Sequence, residues 1–376
     1  MHNVGDSGDV RSALRAVEQS GATVQRQGYD VEISGNVCCE ESVVSCGESG
    51  LCMRLFAPIV ALRETETILL AEGSLRARAM RMVAEALTQF GAQCETDAGL
   101  APLRIRGPLR PGRNAIDAST SSQHISGLMM ALPLLNADSE IELVDPVSLP
   151  YLALTAEVMN RFGITVRVAP RHIAIPGGQS FRASEFDVGG DWSAAAFLLT
   201  AGAIAGNVRV HRLNATSSQA DRRILDALQQ VGADISIDDD TIGVASNRLQ
   251  PFRVNLADTP DLAPPLAVLA ARCEGESVLT GVARLRIKES NRLSALCATL
   301  GAMGVDITTH DDALVVRGGA IQGGTVTTHN DHRIVMAAAT AALVAENETV
   351  IDGAEAVGKS YPSFFEDLRK LGAKLQ

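Results

Sequence analysis

The sequence lacks a long apolar run, a secretion signal and paired cysteines. No run of about 18 or more apolar residues occurs, which argues against a membrane-spanning helix. The opening MHNVGDSGDV has neither the basic start nor the apolar segment of a signal peptide. The seven cysteines form no C-x-x-C pair, and no histidine lies near the group Cys38, Cys39, Cys46 and Cys52. We therefore expect a cytoplasmic protein whose cysteines are small buried thiols.

The sequence also lacks an excess of positive charge. The formal net charge is −11, so a general electrostatic surface for nucleic acid is absent and only a local basic pocket remains open. The chain has 376 residues, of which 46% are hydrophobic and 3% aromatic. This length is sufficient for a large core divided into about two or three domains.

An internal repeat runs through the chain. A helix-like segment ends in glycine and is followed by alternating apolar residues at six positions about 70 residues apart. The six glycines are Gly21, Gly91, Gly163, Gly232, Gly304 and Gly372. Glycine suits this place because it adopts the left-handed conformation that commonly ends a helix. The alternating residues predict a strand after each glycine.

Each repeat after the first also contains a helix that is apolar nearly all round but begins with polar residues. The five segments are SGLCMRLFAPIVAL, SSQHISGLMMALPLL, DWSAAAFLLTAGAIAG, DLAPPLAVLAARC and NDHRIVMAAATAALV. Helices of this kind are buried. The corresponding helix of the first repeat would begin before Met1, so the first repeat is predicted to be incomplete. We expect an α/β protein with two lobes, 1–188 and 189–376, of three repeats each.

The polar helix starts are predicted to carry the chemistry. Helix N-termini favour anions through their unpaired N–H groups and the helix dipole. Serine, aspartate and asparagine at these starts suit N-cap positions, and Asn330 is one example. Cations accumulate near the same ends, and together they favour a small anionic substrate. They are Arg54, Arg76, Lys288, Arg292, Arg333 and Lys359. Asp261, Glu289 and Asp331 add carboxylates suited to proton transfer or to pairing with these cations.

The sequence resembles the 5-enolpyruvylshikimate-3-phosphate synthase family over nearly its whole length. The motifs that carry the resemblance occur in the family's order and are GESGLCMR, DASTSSQHISGLMMALPL, SLPY, TPDLAPPL, RIKESNRL, NDHR and GKSYPSFF. The resemblance implies the two-lobed enolpyruvyl transferase fold, an inside-out α/β barrel of six βαβαββ-type repeats. It also implies enolpyruvyl transfer from phosphoenolpyruvate to the 5-hydroxyl of shikimate 3-phosphate, without metal or organic cofactor. We expect a monomer that binds neither nucleic acid nor membrane.

The resemblance also implies a role for each matching residue. Asp261 would orient or accept the 5-hydroxyl proton, and Glu289 would take part in proton delivery to the enolpyruvyl methylene carbon. The residues implied to bind shikimate 3-phosphate are Ser121, Ser122, Gln123, Ser148 and Lys288. Those implied to bind phosphoenolpyruvate are Gly50, Arg76, Gln123, Arg292, Arg333 and Lys359.

The sequence departs from the family pattern in several places. The family's N-terminal K-S-x-x-x-R motif has no counterpart here, and it belongs to the helix that the repeat count leaves out. We therefore expect a truncated or misassigned start. Glu48 and Leu51 replace residues of GESGLCMR that are commonly Asn and Thr, so Glu48 is expected either to turn away from an anion or to pair with Arg54. Arg284 replaces an asparagine that contacts shikimate 3-phosphate in some members.

Two other interpretations remain open. UDP-N-acetylglucosamine enolpyruvyl transferase shares the fold and chemistry, but SSQHISGL and NDHR argue against it. A non-catalytic or truncated relative that binds shikimate 3-phosphate without turnover is the alternative from another class.

Overall fold

The fold consists of two compact lobes. This computed structural model describes residues 1–35 and 42–376, and the chain divides into the compact units Met1–Val188 and Gly189–Gln376. We call these the N-terminal and the C-terminal lobe. Cys38 and Cys39 lie outside the described residues. Within those residues, no helix has the length and apolar character needed to cross a membrane.

The N-terminal lobe alternates helices with short strands. Its helices are α1 (Gly8–Gln19), α2 (Gly50–Val60), α3 (Arg81–Gln89), α4 (Gln123–Ala131) and α5 (Leu149–Arg161). Its strands are β1 (Thr23–Gln27), β2 (Asp30–Ser34), β3 (Val43–Ser45), β4 (Thr67–Leu70), β5 (Gln93–Asp97), β6 (Leu100–Arg106), β7 (Arg113–Asp117), β8 (Ser139–Val144), β9 (Arg167–Ala169) and β10 (His172–Ile175). Short 3-10 helices span Gly73–Ala77 and Leu132–Leu134.

The C-terminal lobe repeats the same alternation. Its helices are α6 (Trp192–Ala205), α7 (Ile224–Val231), α8 (Ala263–Ala270), α9 (Arg292–Ala302), α10 (His332–Ala342) and α11 (Phe364–Lys370). Its strands are β11 (Asn207–Val210), β12 (Asp234–Asp238), β13 (Thr241–Ala245), β14 (Arg253–Asn255), β15 (Glu276–Thr280), β16 (Asp306–His310), β17 (Ala313–Arg317), β18 (Gly324–Thr327) and β19 (Thr349–Asp352). Further 3-10 helices span Ala220–Arg223, Pro260–Leu262, Ala283–Ile287 and Ala354–Lys359.

A complete repeat forms one four-stranded mixed sheet. The orders are β3-β4-β6-β5, β7-β8-β10-β9 and β14-β15-β17-β16. In each, the first two strands are parallel and are joined through a buried helix, as a parallel connection requires. An outer helix then leads to an antiparallel hairpin, which completes the sheet. These three repeats therefore have the βαβαββ order that the family resemblance implies.

The remaining repeats form smaller sheets. The first, within residues 1–35, contains α1 and the antiparallel pair β1-β2. The fourth has the order β11-β13-β12, and the sixth has the parallel pair β18-β19. The prediction of a strand after Gly372 is wrong, since no strand follows α11 within the described residues. Ala373 and Leu375 pack instead against the core of the C-terminal lobe. Their alternation with polar residues therefore reflects burial of every second side chain and not a strand.

The apolar helices form the centres of the lobes. In α10, the residues Ile334–Ala341 are buried, and α6 and α8 are buried nearly throughout. In the N-terminal lobe, α2 packs closely on α4 at Gly127. A methyl group added at Gly127 would lie 2.8 Å from the carbonyl oxygen of Arg54 and 2.9 Å from that of Leu55. Glycine therefore permits the contact that places the starts of α2 and α4 side by side.

Candidate active site

Arg292 is the centre of a buried charge cluster in the C-terminal lobe. Its side chain is 1% exposed at the start of α9. Its guanidinium donates to Asp261 Oδ1 at 2.9 Å, to Glu289 Oε2 at 2.6 Å and to Asp331 Oδ2 at 2.9 Å. Because every nitrogen of the fork is used, the three carboxylates are fixed around one cation.

Two further cations face the same carboxylate of Asp261. Arg333 Nη2 lies 3.2 Å from Asp261 Oδ2, and Lys288 Nζ lies 3.8 Å from Asp261 Oδ1. Burial by itself would raise the pKa of Asp261, but the charges of Arg333, Lys288 and Arg292 outweigh it and hold this pKa well below its usual range. Asp261 is therefore ionised at neutral pH while its side chain remains 22% exposed.

Asp331 connects this cluster to the polar start of α10. It is fully buried, and its Oδ1 accepts a hydrogen bond from the backbone N–H of Arg333 at 3.0 Å. Asp331, rather than the predicted Asn330, is therefore the N-cap of α10. Its Oδ2 also accepts from Ser290 Oγ at 2.9 Å. The preceding His329 and Asn330 both have positive φ, 54° and 55°, an uncommon conformation that often marks functional sites.

His332 is buried beside these charges. Burial, followed by the positive charges of Arg333 and Arg292, lowers its pKa to about 3. The imidazole is therefore neutral at physiological pH, and it adds no charge to the cluster.

Asp221 is a member of this region that the sequence analysis missed. It lies in the 3-10 helix Ala220–Arg223 and accepts a hydrogen bond from Ser193 in the first turn of α6. Burial, followed by the negative charge of Asp261, raises its pKa to about 6, while Arg333 opposes the shift. Burial opposes the charge of Arg333, but the carboxylates of Asp261, Asp221 and Asp191 hold its pKa above the usual range. No motif in the sequence marks Asp221, because QADRR resembles an ordinary polar loop before a helix.

Lys359 is placed at the end of the 3-10 helix Ala354–Lys359, where it is half-buried. This 3-10 helix packs against α10, the helix that Asp331 caps. Of the residues predicted in this lobe, Asp261, Lys288, Glu289, Arg292 and Arg333 thus form one ion-pair network, and Lys359 lies on a neighbouring element.

A second polar group surrounds the starts of α2 and α4 in the N-terminal lobe. Arg54 Nη1 donates to Gln123 Oε1 at 2.8 Å, which joins the two helices. Gly50 is the first residue of α2, and the guanidinium of Arg78 lies directly against it. Two arginines therefore lie at a helix N-terminus, an arrangement that favours an anion.

Arg78, and not the predicted Arg76, is the arginine placed beside Gly50. Arg76 is exposed, and its Nε donates to the carbonyl of Ala71 at 3.2 Å. The segment SLRARAM contains both arginines, so the choice depends on where the 3-10 helix Gly73–Ala77 ends. Arg78 follows this helix directly, as Lys288 follows the 3-10 helix Ala283–Ile287. Comparison of the repeats could therefore have identified Arg78.

The serines predicted to bind a phosphate lie at helix starts in the same lobe. Ser122 is buried at the N-cap position of α4, and Ser121 Oγ accepts from the backbone N–H of Gln123 at 3.2 Å. Ser148 precedes α5 in the left-handed region, with φ 57° and ψ 38°. For a buried serine this conformation is strained, which is typical of functional positions.

Two residues that depart from the family pattern are also placed. Glu48 accepts from Ser74 Oγ at 3.4 Å, and its carboxylate lies against Gly73 at the start of the 3-10 helix. The carboxylate of Glu48 thus lies beside the start of this 3-10 helix. Arg284 donates to the carbonyl oxygen of Ala257 within the C-terminal lobe.

Solved structures with the same architecture define the class of protein. An EPSP synthase from Acinetobacter baumannii matches with a TM-score of 0.81 and 26% identity, over 97% of this chain and 88% of that chain. The enolpyruvyl transferase NikO from Streptomyces tendae matches with a TM-score of 0.79 over 100% of this chain and 89% of that chain. Its 16% identity supports the fold alone. The fold is that of the enolpyruvyl transferases.

Sequence comparisons identify the family. The model of EPSP synthase (3-phosphoshikimate 1-carboxyvinyltransferase) matches residues 1–368. A 3-phosphoshikimate 1-carboxyvinyltransferase from Natronomonas pharaonis is 38% identical over 98% of this chain and 90% of the relative. One from Methanocorpusculum labreanum is 36% identical over 98% of this chain and 89% of the relative. This chain belongs to the EPSP synthase family.

The charge cluster predicts a large stability effect at Asp331. Asp331→Asn keeps an oxygen that can cap α10 but leaves Arg292 with one fewer buried negative charge. We expect the free energy of unfolding, measured by urea denaturation with circular dichroism, to fall by about 3 kcal/mol.

The control is Glu276→Gln, which removes a carboxylate 3.1 Å from the exposed Arg317. This surface pair should contribute less than about 1 kcal/mol. Similar small losses of stability for both variants would contradict a large contribution from the buried ion pair of Asp331 with Arg292.

Proposed function

We propose that this protein transfers the enolpyruvyl group of phosphoenolpyruvate to the 5-hydroxyl of shikimate 3-phosphate and releases phosphate. Membership of the family supports the reaction class. The observation that carries the proposal is the Arg292 cluster, in which two carboxylates, Asp261 and Glu289, are held among cations. Both substrates are anions, and the reaction moves protons at two places, so this combination of charges suits both needs.

Asp261 is assigned to the hydroxyl side of the reaction. It is ionised because three cations lower its pKa, so it can accept a hydrogen bond from the 5-hydroxyl and orient that oxygen for attack. The attacking oxygen forms a bond to C2 of the enolpyruvyl group while its proton passes to Asp261 and the methylene carbon takes up a proton, which gives a tetrahedral intermediate. Loss of phosphate and of a methyl proton from this intermediate restores the double bond.

Glu289 is assigned to proton delivery to the methylene carbon. Its side chain is 14% exposed, and Oε2 accepts from Arg292 at 2.6 Å. This contact fixes the carboxyl group in one orientation, which proton transfer to carbon requires. The same group can take the proton back when phosphate leaves.

The substrate anions are assigned to the cations and helix starts. Phosphoenolpyruvate would be bound by Gly50, Gln123, Arg292, Arg333 and Lys359, with Arg78 replacing the predicted Arg76. Shikimate 3-phosphate would be bound by Ser121, Ser122, Gln123, Ser148 and Lys288. The Oε1 atom of Gln123 is engaged by Arg54, so its amide N–H groups remain the donors for a substrate oxygen. The cations stabilise negative charge that develops on the carboxylate and on the departing phosphate.

The direct test is phosphate release by the purified protein mixed with shikimate 3-phosphate and phosphoenolpyruvate. We expect release only when both substrates are present, and a loss of activity in Glu289→Gln, which keeps the side-chain shape. Binding of shikimate 3-phosphate without release would overturn the catalytic proposal in favour of a non-catalytic relative.

Arg333→Ala should affect the two substrates unequally. We expect KM for phosphoenolpyruvate to rise about tenfold to a hundredfold, because a charge-assisted contact contributes about 1.5–3 kcal/mol. KM for shikimate 3-phosphate should change far less. Steady-state phosphate release at varied concentrations of each substrate measures both values, and equal weakening would exclude the assigned role.

Arg78 and Arg76 form a matched pair for a second prediction. Arg78→Ala should raise KM for phosphoenolpyruvate by about tenfold, since it removes the guanidinium beside Gly50. Arg76→Ala removes an exposed arginine two residues away and should leave the kinetics almost unchanged. The opposite order of effects in the same assay would restore Arg76 to the site.

A further inference from the structure

The segment that carries Lys359 forms a tight turn. Lys359 ends the 3-10 helix Ala354–Lys359, and Ser360 follows it directly. The backbone N–H groups of Ser360 and Tyr361 both donate to the carbonyl oxygen of Val357, at 3.1 and 2.8 Å. These two hydrogen bonds join the residues on the two sides of Lys359. A displacement of Tyr361 would therefore also displace the backbone of Lys359.

The first end of this segment is attached to the start of α10. Thr328, which is buried, donates from Oγ1 to the carbonyl oxygen of Asp352 at 2.8 Å, immediately before the N-cap Gly353 of the 3-10 helix. The carbonyl oxygen of Thr328 accepts from the backbone N–H of Asp331 at 3.0 Å. The 3-10 helix therefore begins beside the N-cap of α10.

The second end is attached to α11 through the hydroxyl group of Tyr361. Its Oη donates to Asp367 Oδ2 at 3.0 Å. The Tyr361 ring packs edge-on against Phe364, with 5.4 Å between the ring centroids and 62° between the ring planes. Phe364 is fully buried in the core of the lobe. Packing therefore places the ring, and the hydroxyl group adds a directional contact that ties the turn to α11.

The hydrogen bond between Tyr361 and Asp367 joins a neutral phenol to an ionised carboxylate. Asp367 also accepts from Ser363 Oγ at 3.0 Å and from Lys370 Nζ at 2.8 Å. Burial by itself would raise the pKa of Asp367, but the bonds from Lys370 and from the two hydroxyl groups hold it below its ordinary value. Burial, followed by the negative charge of Asp367, raises the pKa of Tyr361, so the phenol keeps the proton that it donates. Such a charge-assisted bond is stronger than one between neutral groups.

We propose that Tyr361 and Asp367 are positioning residues that hold Lys359 in place to bind phosphoenolpyruvate. A lysine carries its charge at the end of a flexible side chain, so its backbone has to be fixed if that charge is to meet a small anion. The attachment of the turn to α11 is independent of the proposed function. Its effect on substrate binding rests on that function and on the assignment of Lys359.

Tyr361→Phe is the first variant, because it keeps the ring and its packing and removes the hydroxyl group. We expect KM for phosphoenolpyruvate to rise about threefold to tenfold, the range that the loss of one hydrogen bond covers. The values of kcat and of KM for shikimate 3-phosphate should change far less, because Lys359 is assigned to phosphoenolpyruvate alone. Steady-state phosphate release at varied concentrations of each substrate measures these values. An unchanged KM for phosphoenolpyruvate would overturn the positioning role.

Lys370→Ala is the matched control. Lys370 is an exposed lysine that contacts the other oxygen of the same carboxylate, Asp367 Oδ1, and it lies outside the turn. Its removal should leave KM for phosphoenolpyruvate unchanged. A rise as large as that in Tyr361→Phe would show that any change around Asp367 has this effect, which would overturn the specific role of the Tyr361 bond.

Asp367→Ala tests whether the two residues act through one contact. By itself it should raise KM for phosphoenolpyruvate by a factor similar to that of Tyr361→Phe. The double variant should lose no more than either single variant, because each substitution removes the same hydrogen bond. Effects that multiply would contradict a shared contact. A lower melting temperature with a wild-type KM would assign the contact to the stability of α11 and would overturn the positioning role.

The attachment can also be observed without substrates. The chain contains three tyrosines, so the NMR spectrum of protein labelled in its tyrosine rings has few signals. The signal of Tyr361 is the one that is lost in Tyr361→Phe. It should shift in Asp367→Ala, which removes the acceptor of the hydroxyl group, and stay in place in Lys370→Ala. A Tyr361 signal that does not respond to Asp367→Ala would overturn the contact.

The outcomes separate this proposal from the proposed function. Phosphate release by the wild type, with an unchanged KM for phosphoenolpyruvate in Tyr361→Phe, would overturn the positioning role and leave the proposed function intact. A protein that shows the expected NMR shift but releases no phosphate would overturn the proposed function, and the positioning role with it, while the attachment of the turn to α11 would stand. The two failures are therefore distinguishable.

Discussion

The ion pairs of Arg292 are the interaction on which the C-terminal lobe's polar centre depends. A guanidinium that is 1% exposed would be very costly without partners, and three carboxylates from three separate segments provide them. Asp331 begins α10, Asp261 lies in the 3-10 helix before α8, and Glu289 precedes α9. One cation thus fixes the relative positions of three helix starts. The same contacts orient the carboxylates proposed for catalysis, so stability and chemistry share one set of atoms.

The repeat explains why such a cluster can form. Each buried helix is apolar along its length, so its polar start is the part that can hold charged groups without placing them in the core. In α10, Ile334–Ala341 are buried, and Asp331 caps the first turn. In the N-terminal lobe, too, charged groups lie at the polar starts of buried helices. Arg54 and Arg78 both lie there beside Gly50, and Arg54 donates to Gln123.

Much of the fold could be predicted from the sequence because its signals are periodic. The glycines after the outer helices and the five apolar segments fix the order of elements, since helix ends and buried helices have strong local signatures. The strand predicted after Gly372 was wrong because alternation also arises where a chain end packs on a core, as Ala373 and Leu375 do. The cluster residues in RIKESNRL and NDHR were found through motifs. Asp221 was missed because its importance comes from burial beside Arg333, which local sequence does not express.

Arg76 and Arg78 could not be distinguished from the motifs, because the motifs do not show that the 3-10 helix ends between them. Both arginines lie in one short segment, and their chemistry is the same, so composition cannot separate them. The end of the 3-10 helix decides: Arg78 is extended, with φ −87° and ψ 135°, and Lys288 is extended in the corresponding place after its own 3-10 helix. A cation thus follows one 3-10 helix directly in each lobe, Arg78 in the N-terminal lobe and Lys288 in the C-terminal lobe. Because both residues have an extended backbone at the end of a 3-10 helix, the end of that helix is the signal that distinguishes Arg78 from Arg76.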